Sequence, residues 1–243
     1  MVIGSLNLRN LYKLKKYNGI NNGIDNTITL NNLIKENNID VLGVQELVRY
    51  YEDSFKTKIS PDYKIVGKYR FGMNILVKNI DILNRFDESN SIITNQRIVD
   101  FKTINLPWFS STLPRIAQLA LIESKDLGKF VFINTHLDFL KEKVQIKQLK
   151  KLKKIISKIE YPIILCGDFN LEVKDSSFKE FVDYLDSIGI KRLSIDEPTY
   201  KGLGGKNIID HIFVSKKFEC ESFKLIKTDD GFSDHNLLLV DIR

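Results

Sequence analysis

Four short polar segments carry the residue types that bind metal ions and move protons. They read Asn-Thr-His-Leu-Asp at 134–138, Gly-Asp-Phe-Asn at 167–170, Ile-Asp-His-Ile-Phe at 209–213 and Ser-Asp-His-Asn at 233–236. All three histidines of the chain lie in these segments. Each segment adjoins an apolar run that is typical of a buried strand, and strand ends hold side chains rigidly around a small target. The four segments together therefore predict one site.

Hydrolysis of a phosphodiester would use each of these residue types. A hard cation such as Mg²⁺ prefers carboxylate and amide oxygens, and an imidazole is the usual base that takes a proton from water. The chain offers oxygen ligands at Asn7, Glu46, Asp168, Asn170 and Asp234, and imidazoles at His136 and His235. A lone histidine is more often a residue without a chemical role, but the concentration of all three in the polar segments favours chemistry.

These segments, together with Gln45-Glu46 after an apolar run, resemble the signature of the endonuclease/exonuclease/phosphatase superfamily, which includes DNase I, exonuclease III, sphingomyelinases and inositol polyphosphate 5-phosphatases. The resemblance extends from Asn7 to His235 and covers nearly the whole chain. Any single segment is a weak signal, but the ordered set is specific. The resemblance implies an α/β fold, a four-layered α/β sandwich with two central mixed β-sheets flanked by helices, and metal-assisted cleavage of phosphate esters.

The resemblance also implies a metal site and a base. Glu46 would hold the metal, with Asn7 and Asp234 nearby. The ion would be Mg²⁺, with Mn²⁺ as a substitute, and its number, one or two, stays open. His235 would be the general base, its ring oriented by a carboxylate, for which Asp168 and Asp210 are both candidates.

The remaining roles concern the phosphate. Asn170 would bind a phosphoryl oxygen, and His136, with Asp210 behind it, would stabilise the phosphate or help the leaving group. Asn134 is expected to contact the substrate. Arg115 is expected to reach a substrate phosphate with its bidentate guanidinium, although a surface ion pair is the alternative.

One position departs from the family pattern. The family often has Arg or Tyr after the Asp of the Ile-Asp-His-Ile segment, where this chain has His211. This difference predicts altered contacts at the edge of the site without loss of catalysis.

Composition limits the organisation of the chain. No Pro-, Gly- or Ser-rich linker divides it, which favours a single domain over residues 1–243. The net charge of +6 suits a polyanionic partner such as nucleic acid, although a lysine-rich solvated surface explains it equally well. Cys166 and Cys220 form no disulfide framework or zinc pattern. No signal peptide or membrane span is recognisable, which predicts a cytoplasmic protein or a secreted form already processed. No obligate protein partner is evident.

Hydrophobic periodicity predicts the elements that position the site. Strands are predicted at 2–8, 40–44, 63–68, 73–77, 116–123, 130–135, 163–166, 208–214, 223–228 and 237–242. Helices are predicted at 27–38, 141–159 and 178–188, with a loop over 13–26 and a cap at Asn26 or Thr27. The helix at 141–159 carries eight lysines outside its apolar stripe.

Three functions follow from these observations. The first is a Mg²⁺-dependent phosphodiesterase that acts on nucleic acid. The alternative is a phosphoesterase of lipid or inositol or sugar phosphate headgroups, and the third is an inactive binding module on the same fold. The aromatic pair Trp108-Phe109 and the segment Tyr69-Arg70-Phe71 are candidates for stacking on bases or headgroups, although core packing is the more common use of such residues.

Overall fold

The computed structural model describes residues 1–9, 23–48, 56–70, 87–109, 111, 113–202 and 207–243. Twelve strands lie in this part of the chain: β1 Val2–Asn7, β2 Ile39–Val48, β3 Lys64–Tyr69, β4 Glu88–Thr94, β5 Arg97–Leu106, β6 Arg115–Ser124, β7 Gly128–His136, β8 Ile163–Asp168, β9 Ile190–Arg192, β10 Asp210–Ser215, β11 Cys220–Ile226 and β12 Leu237–Ile242. Its longer helices are α1 Gly23–Glu36, α2 Glu142–Ile156 and α3 Ser176–Ser187, and residues 56–58 are also helical.

The strands form two six-stranded sheets with the same internal pattern. The first sheet has the order β11-β12-β1-β2-β4-β3 and the second the order β5-β6-β7-β8-β10-β9. In each sheet the two central strands, β1 with β2 and β7 with β8, are parallel, while the flanking pairs are antiparallel. The prediction of two mixed sheets is confirmed.

Three apolar clusters separate four layers. The inner cluster lies between the sheets and includes Ile3, Phe132, Ile164 and Val240. A second cluster joins α1 to the first sheet, and a third joins α2 and α3 to the second sheet. Side chains alternate between the two faces of a strand. Strand residues two positions away from a residue of the inner cluster are therefore also expected to face the space between the sheets.

The helices lie near their predicted positions. The apolar stripe of α2, with Leu149, Leu152 and Ile156 buried, packs on the second sheet, and most of its lysines face outward. Helix α1 begins at Gly23, so residues 23–26 are helical and the predicted start at Asn26 or Thr27 is wrong. The rest of the predicted loop, 13–22, and the predicted strand at 73–77 lie outside the described residues.

Three strands were not predicted: β4, β5 and the short β9. Strand β4 reads Glu-Ser-Asn-Ser-Ile-Ile-Thr, yet all seven residues are buried because neighbouring strands pair with it on both sides. Its polar side chains find partners there: the hydroxyl oxygens of Ser89 and Ser91 lie 2.7 Å apart, and Asn90 Nδ2 donates to the Ile116 carbonyl at 2.8 Å. Hydrogen bonding offsets the cost of burying these groups.

Within the described residues, no helix has the length and apolar character needed to cross a membrane.

Candidate active site

Eight of the ten residues expected in the site line a single cavity of about 430 Å³. These eight are Asn7, Glu46, Arg115, His136, Asp168, Asn170, Asp234 and His235. Asp210 and Asn134 are buried outside the lining, at 1% and 0% exposure.

Strand topology brings these residues together. Asn7 ends β1 and Glu46 lies near the end of its parallel neighbour β2, while His136 ends β7 and Asp168 ends its parallel neighbour β8. The carboxyl ends of parallel strands meet at one edge of a sheet. Each sheet therefore contributes one pair of side chains, and the cavity forms where the two edges face each other.

A β-bulge directs Glu46 into the cavity. Val44 pairs with Ser91 and Leu47 with Ser89, so two residues of β2, Gln45 and Glu46, lie opposite one residue of β4. Glu46 has a φ of +58°, an unusual value for a side chain other than glycine. In a regular strand Glu46 would face away from Gln45, which points between the sheets. The bulge removes that alternation and turns the carboxylate toward the cavity.

His235 is oriented by Asp210. The Nδ1 atom of His235 lies 2.8 Å from Asp210 Oδ2, whereas its Nε2 atom lies 3.8 Å from Asp168 Oδ2 and 3.9 Å from Asp234 Oδ1. Asp210 therefore holds the ring from behind, and Asp168 faces the cavity side of the ring. The expectation that Asp210 lies behind His136 is wrong, because its hydrogen bond goes to His235.

Asp168 is the centre of the polar network. Its Oδ2 accepts a hydrogen bond from Asn7 Nδ2 at 2.9 Å and lies 3.6 Å from His136 Nε2, and its Oδ1 accepts the Asn170 N–H at 2.9 Å. Asn170 sits in the left-handed region, with a φ of +51°, and its side-chain amide donates to the Leu137 carbonyl at 3.1 Å. The Asp168 carboxylate thus ties together both sheets and the loop after β8.

Asp234 is held at the mouth of the cavity by a short loop. The Ser233 hydroxyl donates to the Asn7 carbonyl at 2.6 Å and accepts the His235 N–H at 2.9 Å, which anchors the loop to the end of β1. Asp234 Oδ2 pairs with Arg9 Nε at 2.9 Å, while its buried Oδ1 has no hydrogen-bond partner. A buried carboxylate oxygen without a donor is costly unless a cation binds there.

The site carries excess negative charge. Burial raises the pKa of Asp168, as does the nearby Asp210, although His235 and Asn7 oppose the shift. Burial alone would lower the pKa of His235, but the carboxylates of Asp210, Asp168 and Asp234 raise it instead. Both shifts follow from the gathering of several carboxylates in one buried space, a charge that a bound cation would offset.

A divalent cation fits this set of donors. Ligand atoms of Asp168, Asp210 and His235 lie within 4.8 Å of one another, and all three residues are buried. Because Asp210 already accepts the His235 Nδ1–H, Asp168 is the better ligand of these two carboxylates. The partnerless Oδ1 of Asp234 and the Glu46 carboxylate line the same cavity. Such hard oxygen donors suit Mg²⁺ or Mn²⁺.

A model of the endonuclease/exonuclease/phosphatase family matches residues 5–235. The chain belongs to this family. Its members are hydrolases of phosphoester bonds. Comparison with curated proteins gave no match.

Solved structures share the fold at low sequence identity. A mannosyl-6-phosphatase of Bacteroides thetaiotaomicron superposes with a TM-score of 0.74 at 20% identity, covering 100% of this chain and 99% of that one. The human Nocturnin catalytic domain with bound sulfate gives 0.76 at 21% identity, covering 100% and 93%. D. rerio TDP2, humanised by mutation, gives 0.68 at 18% identity, covering 100% and 98%. At these identities the likeness establishes the fold of the chain.

His211 does not lie at the edge of the active site of this family member, contrary to expectation. It follows Asp210 on β10 and so faces the opposite side of the sheet, where its ring packs 4.6 Å from that of Phe178. Its Nε2 lies 2.9 Å from the Leu171 carbonyl and its Nδ1 3.4 Å from Arg192 Nη1, an arrangement that suits a neutral ring. Burial lowers the pKa of His211 from 6.5 to about 4, although the bond to Leu171 opposes the shift.

Acid should destabilise the protein through His211. Between pH 6.5 and 4 the unfolded chain binds a proton that the folded chain does not, so stability is retained above this window and decreases as the pH falls through it. Between pH 8 and 5 the loss should be about 2 kcal/mol. Urea unfolding at both pH values should show this loss in the wild type and a smaller one in His211→Gln, which keeps a donor for Leu171. Equal losses in the two proteins would contradict the assignment.

Asn134 joins the sheets instead of lining the cavity. Its Nδ2 donates to the carbonyls of Val44 at 2.9 Å and Ser91 at 2.8 Å, and its Oδ1 accepts from Gln45 Nε2 at 2.7 Å. All three partners lie on strands β2 and β4 of the first sheet, whereas Asn134 lies on β7 of the second sheet. The geometry gives this side chain a role between the sheets, because Asn134 is fully buried and lies outside the cavity lining where a substrate contact was expected.

Asn134→Leu is expected to lower the free energy of unfolding by about 2–4 kcal/mol, because it removes three buried hydrogen bonds between the sheets. The KM of the folded enzyme should change little. Denaturant unfolding and steady-state kinetics measure the two effects, with Asn95→Leu, at an exposed position, as the matched substitution. A raised KM at unchanged stability would instead point to a substrate contact.

Several residues of the cavity were not recognised from the sequence. The lining also contains Arg9, Arg70, Glu88, Leu113, Phe139, Tyr200 and Ile209. The ring of Tyr200 lies 4.8 Å from that of His235 and packs against it. Tyr200 belongs to no polar segment, and the residue pattern around it gave no signal. Arg70 was named only within an aromatic segment that was expected to stack on bases or headgroups. Phe139 directly follows the first polar segment and Ile209 begins the third, so their positions were the available clues.

Proposed function

We propose that this member of the family hydrolyses phosphodiester bonds in nucleic acid with the help of a bound divalent cation, Mg²⁺ or Mn²⁺. The observation that carries the proposal is the His235–Asp210 pair, which faces the carboxylates of Asp168 and Asp234 across one cavity. A base oriented by a carboxylate beside a set of oxygen ligands is the arrangement that hydrolysis of a phosphoester uses.

His235 acts as the base in this proposal. Its Nδ1–H donates to Asp210, and a cation bound among the carboxylates would offset the negative charge that raises the pKa of His235. The lone pair of Nε2 would then be free to take a proton from the attacking water. Asp210 then stabilises the imidazolium. Exclusion of bulk water strengthens this pairing, since His235 is only 5% exposed.

The other residues bind the phosphate and the cation. The cation, held by Glu46, Asp168 and Asp234 with Asn7 beside them, would polarise the phosphoryl group and neutralise its charge. Arg115, which is buried and lines the cavity, would bind a phosphoryl oxygen. Asn170 and His136 lie on the side of Asp168 and would orient the ester and its leaving oxygen.

A basic groove supports nucleic acid as the substrate. The groove lies between β5 and α2, has a volume of about 630 Å³ and is lined by Lys102, Lys151, Lys154 and Lys158 among others. None of these four lysines forms an ion pair with any residue in the described part of the chain. Unpaired lysines along a groove suit a polyanionic backbone, whose binding releases counterions.

Salt dependence tests this substrate class. Cleavage of DNA or RNA should decline steeply between about 50 and 200 mM salt. Lys154→Gln/Lys158→Gln should weaken binding and flatten the salt dependence, whereas Lys217→Gln/Lys224→Gln, at exposed positions outside the groove, should not. Equal behaviour of the two variants would remove the groove from the proposal.

An apolar rim favours a second candidate, hydrolysis of lipid headgroups. The rim consists of Trp108, Phe109, Phe139 and Leu140, each at least 44% exposed. Two loops carry these residues, and a hydrogen bond from the Ser111 hydroxyl to Asp138 joins the loops. Phe139 also lines the cavity. Exposed apolar side chains beside a phosphoesterase cavity suit insertion into a lipid surface.

A substrate panel separates the candidates. The protein would be incubated with Mg²⁺ or chelator against single- and double-stranded DNA, RNA, bis-nitrophenyl phosphate, inositol phosphates and sphingomyelin liposomes. Metal-dependent turnover of nucleic acid that His235→Ala abolishes supports the first proposal. Turnover confined to liposomes or inositol phosphates supports the second. Binding without turnover of any member would indicate an inactive module and overturn both.

A further inference from the structure

Two buried guanidinium groups form one wall of the cavity. Arg70 directly follows β3 and Arg115 is the first residue of β6, and they are 9% and 5% exposed. Both line the cavity that contains His235 and the carboxylates. Arginine is rarely buried to this extent unless it is paired.

The two groups are only partly satisfied. Glu88 forms an ion pair with Arg70 through Nη2, but Arg70 Nη1 is buried without a hydrogen-bond partner. Arg115 makes no ion pair with any residue that the structure describes, and its Nε is also without a partner. Its guanidinium lies 5.9 Å from the centre of the Phe139 ring. Free donors on buried cations cost free energy that an anionic ligand would recover.

Both groups remain charged near neutral pH. Burial and the charge of Arg115 together lower the pKa of Arg70 to about 10, although Glu46 and Asp87 oppose the shift. Burial likewise lowers the pKa of Arg115. The cavity therefore holds two neighbouring positive charges on the wall beside Glu46, which acts electrostatically on both.

The two arginines share one cavity with the catalytic carboxylates. Arg115 interacts electrostatically with Glu46 and Asp168, and Arg70 with Glu46 and Asp87. A guanidinium has five N–H donors, so Arg115 can contact the cleaved phosphate and a neighbouring one. Arg70 Nη1 has a free donor for that second phosphate.

We propose that Arg70 and Arg115 together bind a second phosphate group of the substrate, adjacent to the ester that is cleaved. This inference rests on the proposed function, since it assumes that the cleaved phosphate lies beside His235. Guanidinium groups bind phosphate through paired N–H donors, and two of them provide the charge for a dianionic phosphate. The second phosphate would be a neighbouring nucleotide phosphate or a terminal phosphate of the substrate.

Paired chromogenic substrates test the subsite. Thymidine 5′-(p-nitrophenyl phosphate) has one phosphate, and its 3′-phosphorylated derivative has two. With Mg²⁺ the wild type should prefer the second by about 10-fold to 100-fold in kcat/KM, mainly through KM. The double variant Arg70→Gln/Glu88→Gln should bring the ratio of the two kcat/KM values close to one. Glu88 is replaced as well, because its carboxylate would otherwise lose its ion-pair partner Arg70. Arg97→Gln, at a surface ion pair with Glu123, is the matched control and should keep the ratio.

Two kinetic outcomes would overturn the inference. One is an equal kcat/KM of the wild type on the two esters. The other is a ratio of the two kcat/KM values that stays the same in the double variant.

If neither ester is cleaved, the proposed function fails for nucleotides, and the subsite is tested by binding alone. Pyrophosphate should then raise the Tm of the wild type and of Arg97→Gln but not of the double variant. The same Tm shift in all three proteins would reject the subsite. A lower Tm of the unliganded double variant does not affect either comparison, because each protein is its own reference.

Discussion

Replacing His235 with alanine is expected to lower kcat by about 10²-fold or more on whichever phosphoester the protein cleaves. The reason is that His235 Nε2 faces the cavity while Nδ1 is held by Asp210 at 2.8 Å. Of the other two imidazoles, His136 lies with Nε2 3.6 Å from Asp168 Oδ2, and His211 lies on the other side of its sheet. Steady-state kinetics at saturating metal measure the loss.

Chemical rescue distinguishes a base from a structural residue. Added imidazole should restore part of the lost kcat of His235→Ala, because a small base can occupy the space that the ring vacates. His211→Gln is the matched control and should keep nearly full activity. Full activity of His235→Ala would reject the assignment, and a lost activity that imidazole does not rescue, together with a lowered Tm, would indicate a structural role.

Replacing Glu46 with glutamine is expected to raise the Mg²⁺ concentration for half-maximal activity by about 10-fold or more. The bulge in β2 turns this carboxylate into the cavity, where it adds to the charge of Asp234 and Asp168. Glutamine retains the shape but loses the charge that binds a divalent cation. A metal titration of activity measures the shift.

A second measurement makes this prediction independent of turnover. Mg²⁺ that binds the folded state raises the Tm, and the rise should be smaller in Glu46→Gln than in the wild type. Glu180→Gln, on the exposed surface of α3, is the matched control. An unchanged Mg²⁺ titration together with an unchanged Tm shift would remove Glu46 from the metal site.

The parts of the site that sequence could predict are those at strand ends. Asp168, His136 and His235 follow or precede apolar runs, and runs of this kind locate strands well when both faces are buried. Alternation along β10 also predicts which side chains face which way. Phe213 packs with the helices, and Ile212 packs between the sheets. The same alternation places His211 with Phe213, away from the site.

Other features depend on contacts that are distant in sequence. The bulge at Glu46 is visible only from the pairing of β2 with β4, and β4 itself is polar in sequence although it is fully buried. Arg70 lies in the cavity next to its ion-pair partner Glu88 and near the charge of Arg115. Local residue patterns do not encode these tertiary contacts, which explains why strand β4 and the place of the Arg70 guanidinium in the cavity were not predicted.

Because the active site is divided between the two sheets, catalysis depends on the distance between them. Asn7 of the first sheet bonds to Asp168 of the second, and His235, which precedes β12 of the first sheet, bonds to Asp210 of the second. Both bonds lengthen if the sheets move apart. Enlarging an inner residue such as Ile3 should therefore affect kcat before the fold is lost, whereas a change at Leu152 under α2 should affect stability alone.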